Sequence, residues 1–390
     1  MKTSTRCVQL GTGNDLHGAI VPPIYQTATF VQPTATEFGD FDYTRSGNPT
    51  RSLLEEQLAS LEDATYASAF ASGMAALTAL TRIVRSGEEI IAGDDLYGGT
   101  VRLLERIAST QGVTVRYVDT TDLDLVRSNL TSSTRLILIE TPSNPLFRIT
   151  DIRALSLIAR DADALLAVDN SMLSPVFQRP LNLGADIVIH SATKFLCGHS
   201  DVTAGAIITN DRSVHESISF QQNAEGAGLS PFESWLLLRG LKTLALRVER
   251  QNKSAHRVAE FLESHSSVAR VFYPGLVSNE GHKIHRQQSE GDGAVVSFTT
   301  DDPDFSVRLV EATRLFKIAV SFGSVGSTIS LPCRMSHASI PLALRDRIGP
   351  PADLVRLSVG IEDVDDLIDD LSRALVVSER KDLELVAAKV

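Results

Sequence analysis

Between about residue 65 and residue 210, short β-branched runs alternate with helical stretches, and this alternation leaves the chain few architectures. The runs EEIIAGD, VTVRYVD, RLILIET, LLAVDN, ADIVIHS and GAIITND read as buried strands. MAALTALTRIV, GGTVRLLERIAST and DIRALSLIARDA carry helical spacing between them. Strands joined by helical crossovers lie parallel, so the pattern predicts an α/β domain with a mostly parallel sheet covered on both faces. Ligands on such sheets collect beyond the carboxyl ends of the strands. The polar residues that follow the apolar runs are therefore the candidates for chemistry.

The flanks read differently. The first fifty or so residues are rich in turn formers (VPPIYQ, FVQP, RSGNPT) and suit an arm laid over a neighbouring subunit. A helix begins near RSLLEEQLASLED, with leucines on one face. The stretch SPFESWLLLRGLKTLALRVERQNKSAHRVAEFLESH reads as a long helical connection into a second domain near residue 250. Beyond it, GAVVSFTT and LVRLSVG read as strands, and DFSVRLVEATRLF and VDDLIDDLSRAL as helices, giving a smaller α+β domain. The expected organisation is an arm over 1–60, a large domain over 61–248 and a C-terminal domain over 249–390. A length of 390 residues suits one large and one smaller core.

Several classes are disfavoured. Net charge is −11, with no block of Lys and Arg, which argues against nucleic acid as a partner. No apolar run approaches the roughly 20 residues of a membrane span. The opening MKTSTRCVQLGTGND lacks a signal peptide's apolar core and carries an acid too early for a transit peptide, so the cytoplasm is expected. Cys7, Cys197 and Cys333 are odd in number and widely spaced, which fits neither a disulfide framework nor a zinc site. No metal is expected. No G-x-G-x-x-G follows the first strand, and neither a P-loop nor a G-x-S-x-G elbow occurs.

ADIVIHSATKF runs from a buried strand straight into Lys194, beside the hydroxyls of Ser191 and Thr193. A lysine desolvated there is pushed towards its neutral, nucleophilic form, though a surface lysine would give the same string. Asp169 stands at the strand end in LLAVDN, 25 residues earlier, where its carboxylate suits a pyridinium nitrogen or, more plainly, a helix cap. ASGMAALTAL opens a helix with Gly73 and Met74, whose amides suit a phosphate. Tyr97 follows another strand and offers a ring for stacking. Each signal is weak alone; phosphate cradle, carboxylate and lysine together are specific.

YTRSGNPT, SGMAA, the YGG after GDD, ETPSNP, AVDN, SATK and RLSVGIED occur in this order. With them the chain resembles, from about residue 8 to residue 375, the Cys/Met-metabolism group of pyridoxal 5′-phosphate enzymes. The resemblance implies an aspartate aminotransferase-like (fold type I) large domain and a homotetramer of two catalytic dimers with sites shared between subunits. It implies Lys194 as the Schiff-base lysine and proton shuttle, Asp169 as partner of the pyridine nitrogen, and Tyr97 as the stacked ring and, with Lys194, a catalytic group that assists departure of the sulfur. Gly73, Met74, Ser191 and Thr193 would bind the phosphate, joined by Tyr43 and Arg45 of the neighbouring subunit. Arg356 would hold the α-carboxylate of an amino-acid thioether, with Asn144 and Ser321 assisting.

QNAEGAGLSPFESWLLLRGLKT, KIAVSFGSVGSTISLPCRMSHASIP and LVRLSVGIEDVDDLI resemble the plant-type β-lyases of the group. That likeness implies β-elimination from L-cystathionine, within methionine biosynthesis, with γ-lyase or γ-synthase chemistry as the alternative. Val320 stands where γ-acting members typically carry an acid, which favours the β reading. Gly326 stands where the plant enzymes have a lysine. His282 and His285 in GHKIH read as a solvated loop, and His199 and His337 as polar structural residues or cavity lining.

Overall fold

The computed structural model describes residues 1–9, 17–338, 340, 344 and 347–387, with side chains through residue 379; residues 10–16 of the expected arm lie outside that range. Seven strands form the larger sheet: β1 Tyr66–Phe70, β2 Glu89–Gly93, β3 Thr114–Val118, β4 Thr134–Glu140, β5 Leu165–Asp169, β6 Ile187–His190 and β7 Gly205–Thr209. Their order is β1-β7-β6-β5-β4-β2-β3, with every pair from β6 to β3 parallel. Only β7 is reversed, antiparallel to both β1 and β6.

The pleat explains the sequence pattern. Leu136 and Leu138 of β4 face the helices Gly73–Thr81 and Gly98–Gln111 through Leu77, Leu80 and Leu104. Ile137 and Ile139 face the helix Ile152–Asp161 through Leu155 and Ile158. A strand apolar on both faces reads as an unbroken hydrophobic run, as these do.

β1 was not among the expected strands. YASAF is built of small residues with little intrinsic strand character, and its place is set by pairing with β7 from Tyr66↔Thr209 to Phe70↔Gly205. The long stretch after residue 230 also differs from expectation, being two helices, Pro231–Leu241 and Leu244–Glu263. The break is held by Arg247. Its buried guanidinium donates to the carbonyls of Gly240 (2.9 Å), Phe195 (2.8 Å) and Leu196 (3.4 Å).

A second sheet, ordered β10-β11-β12-β9-β8, comprises β8 Arg270–Phe272, β9 Val295–Thr299, β10 Lys317–Ile318, β11 Thr328–Ser330 and β12 Val355–Ser358. It packs on the helices Leu244–Glu263, Pro303–Ala312 and Val364–Ala387, and Val248, Val296, Val355 and Leu371 share one core with Val188 and Ala206 of the large sheet.

GHKIH is not a solvated loop. It lies in the helix His282–Gln288, and His285 is wholly buried with Nε2 3.2 Å from Asp292, a carboxylate that also pairs with Arg286. The charge that buries this histidine sits seven residues away, outside any local motif. Among the described residues no cluster of three or more His, Cys, Asp or Glu could hold a metal, and no helix is long and apolar enough to cross a membrane.

Arg247→Leu strands the carbonyls of Phe195 and Leu196, in the turn after Lys194, while Gly240 keeps the Thr243 N–H at 3.2 Å. We expect it to lower unfolding free energy by about 2 kcal/mol, since each orphaned buried acceptor costs on the order of 1 kcal/mol or more. Chemical denaturation of the apoprotein measures it.

Candidate active site

Parallel strands end together, so β2, β4, β5 and β6 deliver their following residues to one edge. There a cavity of about 660 Å³ opens between the large sheet and β12. Gly73, Met74, Tyr97, Asn144, Asp169, Ser191, Thr193, Lys194, Val320, Ser321 and Arg356 all line it.

At one end, Ser72 caps the helix Gly73–Thr81 through a bond from the Ala75 N–H at 3.0 Å. Helix and strand end meet closely there, for a Cβ at position 73 would stand 3.1 Å from the Ser191 Cβ. The amino-terminal amides of that helix thus lie beside the Ser191 hydroxyl, where an anion is favoured. The Thr193 hydroxyl is already engaged, donating to the Ala204 carbonyl at 3.2 Å and accepting its N–H at 2.9 Å.

Asp169 lies in the floor, with Oδ1 accepting the Ser171 N–H at 2.9 Å. Burial raises its pKa, against the Ser171 hydrogen bonds and the charges of His190 and Lys194. Lys194 sits in the turn after β6, and its Nζ donates to Ser321 Oγ at 2.5 Å and lies 4.8 Å from the centre of the Phe322 ring. Burial, then the Arg356 charge, brings its pKa down to about 8, with Asp169 opposing. The amine is thus available as a neutral nucleophile or base under mild conditions.

Arg356 enters from β12. Nη1 donates to Asn144 Oδ1 at 2.8 Å and Nη2 to the Ser321 carbonyl at 3.2 Å, while burial lowers its pKa to about 10. No carboxylate pairs with it among the described residues, so it is suited to a carboxylate from outside. Ser321 takes a left-handed φ of 78°, which turns its hydroxyl to Lys194 and its carbonyl to Arg356. Val320, beside it, leaves 57% of its surface exposed in the cavity.

Tyr97 stands at the mouth, edge-on to His337 with ring centres 6.3 Å apart. The two glycines after it are a matter of space. A Cβ at 98 would lie 2.9 Å from the Ser336 carbonyl, and one at 99 would lie 2.4 Å from the Tyr97 ring. His337 is buried behind the cavity and held down to about 4 by burial and Arg356, hence neutral, while His199 bonds the Cys197 carbonyl at 2.7 Å. Gly326 has nothing within 4 Å of an added Cβ, so no packing demands glycine there.

Tyr43 and Arg45 do not reach the cavity of their own chain. They line a separate concavity with Arg51, Gly226 and Gly228, the Arg45 guanidinium 5.5 Å from the Tyr43 ring centre. Sequence reasoning missed Phe322, beneath both Lys194 and Arg356, and Glu140, whose carboxylate accepts the Tyr97 N–H at 2.9 Å. Glu140 was visible in ETPSNP, ending a strand as Asp169 does; Phe322 gave no signal of its own.

Comparison with known proteins agrees with this geometry. The model of the Cys/Met metabolism PLP-dependent enzymes matches residues 4–376. The chloroplastic cystathionine β-lyase of Arabidopsis thaliana is 53% identical over 371 residues, covering 95% of this chain and 80% of that protein. Cystathionine β-lyase of Neurospora crassa is 52% identical over 364 residues, covering 93% and 79%. Among solved structures, cystathionine γ-synthase from Xanthomonas oryzae pv. oryzae in complex with cystathionine superposes with a TM-score of 0.95 at 39% identity, covering 97% of this chain and 99% of that one.

The lysine is open to a direct test on the apoprotein. Its rate of imine formation with pyridoxal phosphate should follow the neutral amine, rising with pH to half-maximum near 8. Arg356→Gln removes a positive neighbour and should move that midpoint upward; stopped-flow absorbance reads both.

Proposed function

The chain belongs to the Cys/Met-metabolism family of pyridoxal-phosphate-dependent enzymes, and from that premise we propose that it cleaves L-cystathionine by β-elimination to homocysteine, pyruvate and ammonia. The observation that carries the β over the γ reading is Val320. An apolar side chain faces the cavity where the resemblance leads us to expect an acid in γ-acting members, so no carboxylate stands there to shuttle a proton one carbon further out. The likeness to a γ-synthase in backbone keeps γ-chemistry as the second reading.

The residues fit the cofactor. The amides of Gly73 and Met74 with the Ser191 hydroxyl would hold the phosphate, Asp169 the ring nitrogen with its proton, and Tyr97 one ring face. Pyridoxal phosphate, when bound, supplies the electron sink for a carbanion at the substrate Cα. Arg356 binds the substrate carboxylate through its two outer nitrogens and fixes which Cα bond faces Lys194. The Lys194 amine, neutral above about pH 8, takes the Cα proton as general base. Once protonated, the same ammonium can return a proton to the departing thiolate. The Ser321 hydroxyl, 2.5 Å from Nζ, steers the amine between these positions.

Tyr43 and Arg45 would complete the phosphate site of a neighbouring subunit in a homotetramer. Supporting this, the arm exposes Ile20, Val31 and Phe38, at 89%, 99% and 70%, which a lone chain would leave in water. Three free cysteines suit a reducing compartment such as the cytoplasm.

Product analysis with L-cystathionine should find pyruvate and homocysteine; 2-oxobutyrate with cysteine would assign the γ reading instead. Val320→Glu should raise the γ share of products, and an unchanged ratio would remove the role given to Val320. Light scattering should give the mass of four chains, and Arg45→Ala should weaken cofactor binding at least tenfold, as loss of a charged phosphate contact does.

A further inference from the structure

Two loops frame the cavity, and two buried carboxylates join them in opposite directions. Asp95 follows β2. Its Oδ2 accepts the Ser143 hydroxyl and, at 3.1 Å, the Leu146 N–H, so it grips the β4 loop on both sides of Asn144. Glu140 ends β4, and its Oε1 accepts the N–H of Tyr97, in the loop after β2, at 2.9 Å. Both side chains are buried, at 7% and 9% exposure, and neither forms an ion pair within the described residues. Ser143 is braced further by the Arg148 N–H on its hydroxyl at 2.8 Å.

We infer that Asp95 and Glu140 form a reciprocal clasp, each carboxylate holding the other's loop, and that they are the positioning residues which set Asn144 against Arg356 and Tyr97 over the cavity. The chain of contacts is short. Asp95 fixes residues 143 and 146, these fix Asn144, and Asn144 Oδ1 holds Arg356 Nη1 at 2.8 Å. Glu140 fixes the Tyr97 backbone, and the ring packs so closely on Gly99 that an added Cβ there would lie 2.4 Å from it. Both carboxyls act as acceptors for neutral donors, so the clasp needs oxygen lone pairs and no charge. Burial pushes Asp95 up to about 6 and, together with the Asp169 charge, Glu140 well above the usual range.

The inference rests on Arg356 as carboxylate anchor and Tyr97 as stacking ring, and its test separates the two questions. Asp95→Ala, Asp95→Asn, Glu140→Ala and Glu140→Gln are each titrated as apoprotein with pyridoxal phosphate and then assayed with L-cystathionine. Asp95→Ala should raise KM about tenfold with kcat within about threefold, the loss expected for a misplaced charged contact. Glu140→Ala should weaken cofactor binding about tenfold and shift the visible band of the bound cofactor. Asp95→Asn and Glu140→Gln, which keep the acceptor oxygen, should restore most of both. Ala variants with only a lower melting temperature, and wild-type KM, cofactor affinity and band, would overturn the clasp. So would isosteres as impaired as the alanines, since charge would then be the requirement. If Asp95→Ala does not fold, Ser143→Ala removes one of the two donors and should still raise KM. A wild-type protein inert towards cystathionine would refute the substrate reading, while cofactor affinity and band would still judge the clasp.

Discussion

A guanidinium removed from water must have all its donors placed, and Arg356 is where that requirement joins the molecule's two sheets. The arginine belongs to β12 of the smaller sheet, while Asn144, which takes Nη1, belongs to the loop after β4 of the larger. Ser321, which takes Nη2, adopts a left-handed backbone to do so. Desolvation without a resident carboxylate leaves a positive centre seeking an anion, and its field reaches its neighbours. It helps bring Lys194 down to about 8 and His337 to about 4. One uncompensated charge thus readies the base, keeps the histidine neutral and waits for a carboxylate.

Across the cavity the sign is reversed. Asp95, Glu140 and Asp169 stand at or just past the ends of β2, β4 and β5, because parallel strands place equivalent positions side by side, as in the Glu140↔Asp169 register. Burial raises all three, and the charges of Asp169 and Asp95 add to the rise at Glu140. At Asp169 the Ser171 hydrogen bonds and the Lys194 charge oppose that rise. The cavity is therefore polar along one axis, acidic floor against cationic wall, which suits a zwitterionic amino acid and a cofactor with a basic ring nitrogen.

Much of this was legible in the chain. Runs such as RLILIET and ADIVIHS declare strands buried on both faces, and their polar termini declare the active edge, because strand direction fixes which end a side chain decorates. Lys194, Asp169, Gly73 and Arg356 followed from that rule and from motif resemblance. What escaped depended on distant contacts. YASAF becomes a strand only because β7 reaches it, the helix after residue 230 breaks because Arg247 ties Gly240 to the Lys194 turn, and His285 is buried by Asp292. Phe322 was invisible because an apolar residue declares no position, and its place under two cations comes from the turn at Ser321.

The reversal of β7 has a further consequence. Since β6 and β7 run antiparallel as neighbours, the segment between them, residues 191–204, leaves and re-enters the sheet at the same edge without a helical crossover. Lys194 is consequently carried on a tethered hairpin whose two feet stand in the core, with Thr193 and Ala204 bonded across its base. The amine can change partner by rotating its four methylenes alone, because the main chain that carries it is tied at both feet. The lysine's motion is that of a short crane on a fixed mast: reach is bounded by the side chain, and the entropy of aiming it was lost once, when the hairpin formed.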